Sequence, residues 1–283
     1  MKNEESDEYK QKLALMEQNI KITKKMSHIK HKIAVMSGKG GVGKSTIAVN
    51  LATAFLKKGY KAGILDSDIH GPNIPRMLGI GDSFLKFEKN QILPIKTDDD
   101  MEVISTKFLL PDEDSPIIWR GPKKTGAIRQ FLSDVKWGDL DVLIIDNPPG
   151  TGDEPLTILQ SIPSLDGVII VTTPQSVSLD DVKKCINMLK HLNISIIGLL
   201  ENMSGFVCPH CNEEFSIFGQ NNGEKIAEKM DIPFLGSLSV DINVSESIDN
   251  GIPVLKQNPD SVFSKGFFKI FSKIEDYIKE VEK

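Results

Sequence analysis

The stretch Gly38-Lys39-Gly40-Gly41-Val42-Gly43-Lys44-Ser45-Thr46 constrains this chain more than any other. It follows an apolar run, Ile33-Ala34-Val35-Met36, and opens a helical pattern, Ile47-Ala48-Val49-Asn50-Leu51-Ala52. Strand, glycine loop and helix in that order are what a phosphate-binding loop needs. The glycines allow a tight turn that brings backbone N–H groups onto phosphate oxygens, and the helix N-terminus adds its partial positive charge. Lys44 is placed to neutralise the β- and γ-phosphates, and the Ser45 hydroxyl to hold Mg²⁺. The expectation is a chain that binds a nucleoside triphosphate, ATP, with Mg²⁺.

An ordinary phosphate loop tolerates almost any residue at position 39, where a solvated lysine is the plain reading. The string GKGGVGKST nevertheless resembles the deviant P-loop of the ParA/MinD/nitrogenase-reductase superfamily. That resemblance implies that Lys39 reaches across a dimer interface to the partner's nucleotide. It therefore implies a homodimer with two ATPs between its subunits.

Past the loop, strands and helices alternate. Ala62-Gly63-Ile64-Leu65 reads as the second parallel strand and ends in Asp66-Ser67-Asp68. Strand C-termini line the ligand crevice of an open α/β sheet, so both carboxylates should face the phosphates. Asp66 is then a candidate for the metal's water shell, and Asp68 for orienting or deprotonating the attacking water. Two aspartates can equally be turn formers, but these lie one βα unit after a P-loop. Phe84 to Ile95 has the pattern of a β-hairpin, and Glu102-Val103-Ile104-Ser105 resumes the sheet. A mobile loop is expected at 111–116 and a helix over Lys123–Asp134, preceded by Arg120, a candidate nucleotide sensor or packing residue.

Leu140 to Asp146 is an apolar run ending in aspartate, the Walker B shape, and Asp146 should bind a water on Mg²⁺. Residues 147–154, rich in proline and glycine, read as a switch loop without helix or strand. Gly167 to Pro174 and Ile194 to Leu200 read as further strands, with a helix from Leu179 to His191 capped by Ser178 between them. Asn202, beyond the second of these, is a candidate for reading adenine or for stabilising a turn. A last strand is expected within Ile232–Leu238, then a helix from Val262 with Phe263, Phe267, Ile270, Phe271, Ile274 and Ile278 at helical spacing. Its balanced polar face favours packing on the sheet over lying on a membrane. The class is therefore α/β, a doubly wound, largely parallel sheet with helices on both faces. Residues 1–32 form a charged, solvated helical extension, and 33–283 the ATPase domain.

A net charge of −5 gives no bulk electrostatic support for nucleic-acid binding. No apolar run of about 18 residues occurs, so no membrane span is expected. Three cysteines do not make a disulfide framework, and a cytoplasmic location is expected. Two of them form Cys208-Pro209-His210-Cys211, a spacing that lets two thiolates reach one metal or one face of a cluster. A thioredoxin-like pair, a zinc knuckle and an iron–sulfur site compete for it. The last two want four ligands, and one chain supplies two. A two-fold dimer of the kind Lys39 implies supplies four, which makes the cluster reading the economical one. Cys185, at helical spacing with Val182, Ile186 and Leu189, reads as a buried thiol.

Together GKGGVGKST, Leu65-Asp66-Ser67-Asp68-Ile69-His70-Gly71-Pro72-Asn73, Trp119-Arg120-Gly121-Pro122, IIDNPPGTGDEP and the run from Glu201 to Cys211 resemble the Mrp/ApbC family of iron–sulfur cluster carriers over about residues 30–260. The resemblance implies an ATP-binding homodimer that carries a labile [4Fe–4S] cluster at its interface and hands it to apo-proteins. The net charge and the balanced polar face of the last helix give the expectation of no nucleic-acid partner and no stable membrane association. This chain departs from the family pattern in three places. Residues 1–32 hold no cysteine cluster, Asn147 stands where an apolar residue or threonine is expected, and 218–223 is less glycine-rich. A ParA/MinD-type positioning ATPase or a zinc-binding nucleotide switch is the alternative.

Overall fold

The computed structural model describes residues 2–69, 71–89, 91–109, 121–208, 210–211, 213–219 and 221–282. Helix α1 (Lys2–Met26) leads into β1 (His31–Ser37), and the glycine loop then opens α2 (Lys44–Lys57). Next come β2 (Ala62–Asp66), the one-turn α3 (Ile74–Met77), a hairpin of β3 (Lys86–Glu88) and β4 (Gln91–Leu93), β5 (Ile95–Lys96) and β6 (Glu102–Ser105). The chain continues through α4 (Gly121–Asp134), β7 (Val142–Asp146), α5 (Asp153–Ser161), β8 (Gly167–Thr172), α6 (Ser176–His191) and β9 (Ile196–Glu201). A second hairpin, β10 (Phe206–Val207) and β11 (Glu214–Phe215), holds the cysteine pair between its strands. Then follow α7 (Asn222–Lys229), β12 (Phe234–Ser237), α8 (Ile242–Asp249), α9 (Val254–Gln257) and α10 (Val262–Val281).

Among the described residues, eight strands pair in the order β12-β9-β8-β1-β7-β2-β6-β5. Only the edge strand β5 runs antiparallel, against β6; the remaining neighbours are parallel. The central strands read as unbroken apolar runs because both faces are covered. Ile33 and Val35 of β1 enter one layer with Phe55 of α2 and Phe267 and Phe271 of α10. Ala34 and Met36 enter the other with Phe131 of α4 and Ile186 of α6. This is the α/β, doubly wound, largely parallel architecture that the alternation of elements implied. The connection reverses direction beside β1, and a ligand crevice opens there.

Helix α10 buries Phe263, Phe267, Phe271, Ile274 and Ile278, so its apolar face meets the sheet. Three local expectations need correction. The N-terminal extension is helical but not solvated throughout, since Ile22, Met26 and Ile29 are buried in the α4 layer. Helix α6 begins at Ser176, ahead of the expected cap, and the Ser178 hydroxyl instead meets the Thr173 hydroxyl at 2.8 Å. Helix α5 starts at Asp153 inside the expected switch loop, because a proline such as Pro155 is tolerated in a first helical turn. Arg120 and the loop at 111–116 lie outside the described residues. Among the described residues no helix is long and apolar enough to cross a membrane.

Candidate functional site

The carboxyl ends of β1, β2 and β7 converge, and register sets Asp66 beside Asp146, which in turn pairs with Val35. Residues eighty positions apart in sequence thus become neighbours through parallel pairing alone. The loop after β1 turns at Gly43, whose φ of 87° suits glycine. A Cβ at Gly43 would also fall 2.2 Å from the Asn202 amide nitrogen. Gly38 is confined differently, since a Cβ there would meet the Asp181 backbone of α6 at 2.6 Å. Loop, α6 and the end of β9 therefore fit together only with these glycines.

Lys44 points into the crevice with its Nζ 2.7 Å from Asp146 Oδ1 and 3.8 Å from Asp68 Oδ2. The Ser45 hydroxyl donates to Asp146 Oδ2 at 2.6 Å. Asp66 is fully buried and accepts from the Ser105 hydroxyl at 2.8 Å and from the Asp68 N–H at 3.3 Å. Burial, with the Asp146 charge beside it, pushes the Asp66 carboxyl well above the usual range against the pull of Ser105 and Lys44. Burial raises Asp146 as well, opposed by Lys44 and Ser45. Two buried carboxylates side by side are costly without a cation, and Lys44 supplies one. Gly40, Lys44, Ser45, Asp68, Pro149 and Met203 help line a cavity of about 330 Å³. The hydroxyl of Ser45 and the carboxylates of Asp146 and Asp66 are hard oxygen donors, the set that suits Mg²⁺.

Two residues singled out in the sequence have contacts that the motifs did not foretell. Lys39 Nζ donates to Gln175 Oε1 of its own chain at 3.2 Å. Asn202 Nδ2 donates to the Val42 carbonyl at 2.9 Å, bracing the glycine loop from behind. Sequence reasoning missed Ser105, which supports Asp66, and Met203, which lines the cavity with φ at 58°. It also missed Glu201. That buried carboxylate accepts from the Ser204 hydroxyl at 2.6 Å and from the Asn221 and Gly223 N–H groups at 3.2 and 2.5 Å. A glutamate ending an apolar strand was the available signal.

Beyond Met203 the chain runs straight into the cysteine hairpin. Ser204 N–H donates to the Leu238 carbonyl and Val240 N–H to the Gly205 carbonyl, both at 2.8 Å, fixing the base of β10. Cys208 N–H closes the turn on the Glu213 carbonyl at 2.9 Å. Cys208 is half-buried and Cys211 exposed. Hydrogen bonds from the His210 and Cys211 N–H groups and from the Cys211 thiol draw the Cys208 thiol below its ordinary 9.0. Cys185 is buried, and burial pushes its thiol up to about 12. Among the described residues no group of three or more His, Cys, Asp and Glu side chains could hold a metal ion.

With this geometry in place, residues 28–275 match the ParA family described as NUBPL iron-transfer P-loop NTPase. The chain belongs to that family. It is 55% identical over 268 residues to an iron-sulfur cluster carrier protein of Methanocaldococcus jannaschii, covering 95% of this chain and 92% of that one. A cytosolic Fe-S cluster assembly factor, the NUBP2 homolog of Dictyostelium discoideum, is 48% identical over 83% of this chain and 91% of its own. Among solved structures, the nucleotide-binding protein of Archaeoglobus fulgidus in complex with ADP superposes with a TM-score of 0.77 at 36% identity, covering 89% of this chain and 96% of that one. MinD of Pyrococcus horikoshii gives 0.65 at 22% identity over 87% and 96% of the two chains, a likeness of fold alone. This NUBPL-family NTPase thus has the ParA/MinD fold and the Mrp-type relatives that its motifs implied.

Proposed function

We propose that this chain is an iron–sulfur cluster carrier: two copies hold one [4Fe–4S] cluster between them and release it to apo-proteins under the control of ATP. The observation that carries the reading is the cysteine pair. Cys208 and Cys211 lie together on a surface hairpin, and a cubane takes four thiolates, so a second chain must complete the set. The lowered Cys208 thiol favours the thiolate that a cluster requires. The cluster is cargo here, and an exposed hairpin suits cargo that must leave.

On the nucleotide side, the backbone N–H groups of Gly38–Thr46 cradle the phosphates and Lys44 neutralises the β- and γ-oxygens. Ser45, Asp146 and Asp66 would hold Mg²⁺, which when bound would supply charge neutralisation on the triphosphate. Asp68 orients the attacking water and takes its proton as the bond from the β–γ bridging oxygen to the γ-phosphorus breaks. Lys39 releases Gln175 to reach the partner's nucleotide, and Asn202 keeps the loop in shape near the adenosine. Because Met203 lines the phosphate cavity and Cys208 lies five residues on, Glu201 and the segment after it link nucleotide occupancy to the cysteine hairpin.

The test is a set of cysteine variants reconstituted with iron and sulfide. Cys208→Ser or Cys211→Ser should lose most of the iron, Cys185→Ser should keep it, and all three should bind ATP. Stoichiometric zinc with no uptake of iron would instead make the protein a zinc-bound nucleotide switch.

A further inference from the structure

Helix α1 has a second apolar face that the fold leaves uncovered. Ile22 and Met26 pack inward, and Gln18 and Asn19 accept hydrogen bonds from Arg129 of α4, so that side of the helix is fixed to the body. Tyr9, Leu13, Met16 and Ile20 are 69, 47, 63 and 69% exposed. At 100° per residue they fall within one sector of about 60°, centred roughly 130° around the helix from Ile22 and Met26, while Leu15, also exposed, lies outside that sector. Their spacing of four, three and four residues is the a/d repeat of a helix-pairing seam. Scattered exposed apolar residues need no explanation, but four in register along about 16 Å of one helix do.

We propose that this stripe is a self-association surface, occupied by α1 of a second copy of the chain. The flanks carry the argument from stripe to occupant. Lys10, Glu17 and Lys24 border it on one side, and Lys12 and Asn19 on the other. Laying a second α1 along the stripe brings Glu17 against the partner's Lys12 when the helices run parallel and against the partner's Lys10 when they run antiparallel. Either direction thus gives opposite charges across the seam, the pattern that selects helix partners. A helix destined for a membrane surface would carry basic residues along its polar border, and Glu17 interrupts that border. Short helices pair poorly when pairing must also order them, but docking on α4 already holds the second half of α1 in helical form. This surface is distinct from the cysteine hairpin, and the inference does not depend on the cluster reading.

Sedimentation equilibrium of the full chain carrying Cys208→Ser and Cys211→Ser, without nucleotide, isolates this contact from any cluster-bridged one. Reversible dimerisation is expected in that background. Leu13→Glu with Ile20→Glu should raise the dissociation constant more than about tenfold, since each apolar seam residue is worth about one decade or more, while leaving thermal unfolding of the monomer unchanged. Glu17→Lys should weaken the dimer, and adding Lys10→Glu and Lys12→Glu should restore it. Disulfide formation by a single Met16→Cys chain then reports whether the helices run parallel. A chain that stays monomeric at every concentration would overturn the proposal. So would a dimer indifferent to the seam variants, or binding to anionic phospholipid vesicles by a chain that does not self-associate.

Discussion

At the scale of single residues, the nucleotide site is a set of tight fits around one cation. Gly43→Ala would strain a φ of 87° and drive a methyl into the Asn202 amide. We expect it to cost about 1–3 kcal/mol of stability and to abolish ATP binding, read by denaturant melts and calorimetry. Lys44→Ala removes the cation beside Asp146 and should abolish Mg·ATP binding; undiminished binding in that variant would refute the phosphate-loop assignment. Asp68→Ala should leave ATP binding in place and slow turnover by roughly 10²–10⁴, the contribution of a positioned acid–base group. The thiols separate by environment. Thiolate is the form that alkylates. With a lowered thiol, Cys208 should react at lower pH than an ordinary cysteine, whereas Cys185, with its thiol at about 12, should stay protected until the chain unfolds. Mass spectrometry of metal-free protein after alkylation at rising pH checks this, and labelling of Cys185 in the folded chain would contradict it.

At the scale of elements, α1 is the part whose role changed most between pattern and structure. Ile22→Ala should cost about 2–5 kcal/mol, the range for truncating a buried aliphatic side chain, whereas Leu13→Ala should leave the monomer, melted in urea at concentrations too low for association, within about 0.5 kcal/mol of the parent; equal effects would mean that α1 is not docked by one face. The central strands were legible because runs such as Ile33 to Met36 and Leu140 to Asp146 are bounded by turn residues and buried on both faces. Helix starts were less so. Ser178 resembles a cap, yet its hydroxyl is taken by Thr173, and the helix begins two residues earlier. The prolines and glycines of 148–152 made 147–154 look like loop throughout, although they all precede the helix, which begins at Asp153 directly after Gly152. The cysteine hairpin was hidden because β10 and β11 are two residues each, too short for any alternation to show.

At the scale of the molecule, the sheet order places a nucleotide crevice and a cysteine hairpin at the two ends of one short segment, Asn202 to Cys208. The P-loop, the Walker B aspartate and the cysteine pair could each be read from their own residues. Their juxtaposition could not, because strand pairing sets it: Asp66 meets Asp146 only because β2 and β7 lie side by side. Glu201 anchors the segment through hydrogen bonds from Ser204, Asn221 and Gly223. Its replacement by Gln would leave part of that set unmet, and such a variant should still bind ATP but lose the effect of ATP on cluster release. The central claim is that the cluster belongs to two chains. Native mass spectrometry of anaerobically reconstituted protein tests it most directly. The account predicts a dimer carrying about four irons and four sulfides, one [4Fe–4S] cluster for two chains. A cluster-loaded monomer, or zinc in place of iron, would contradict it.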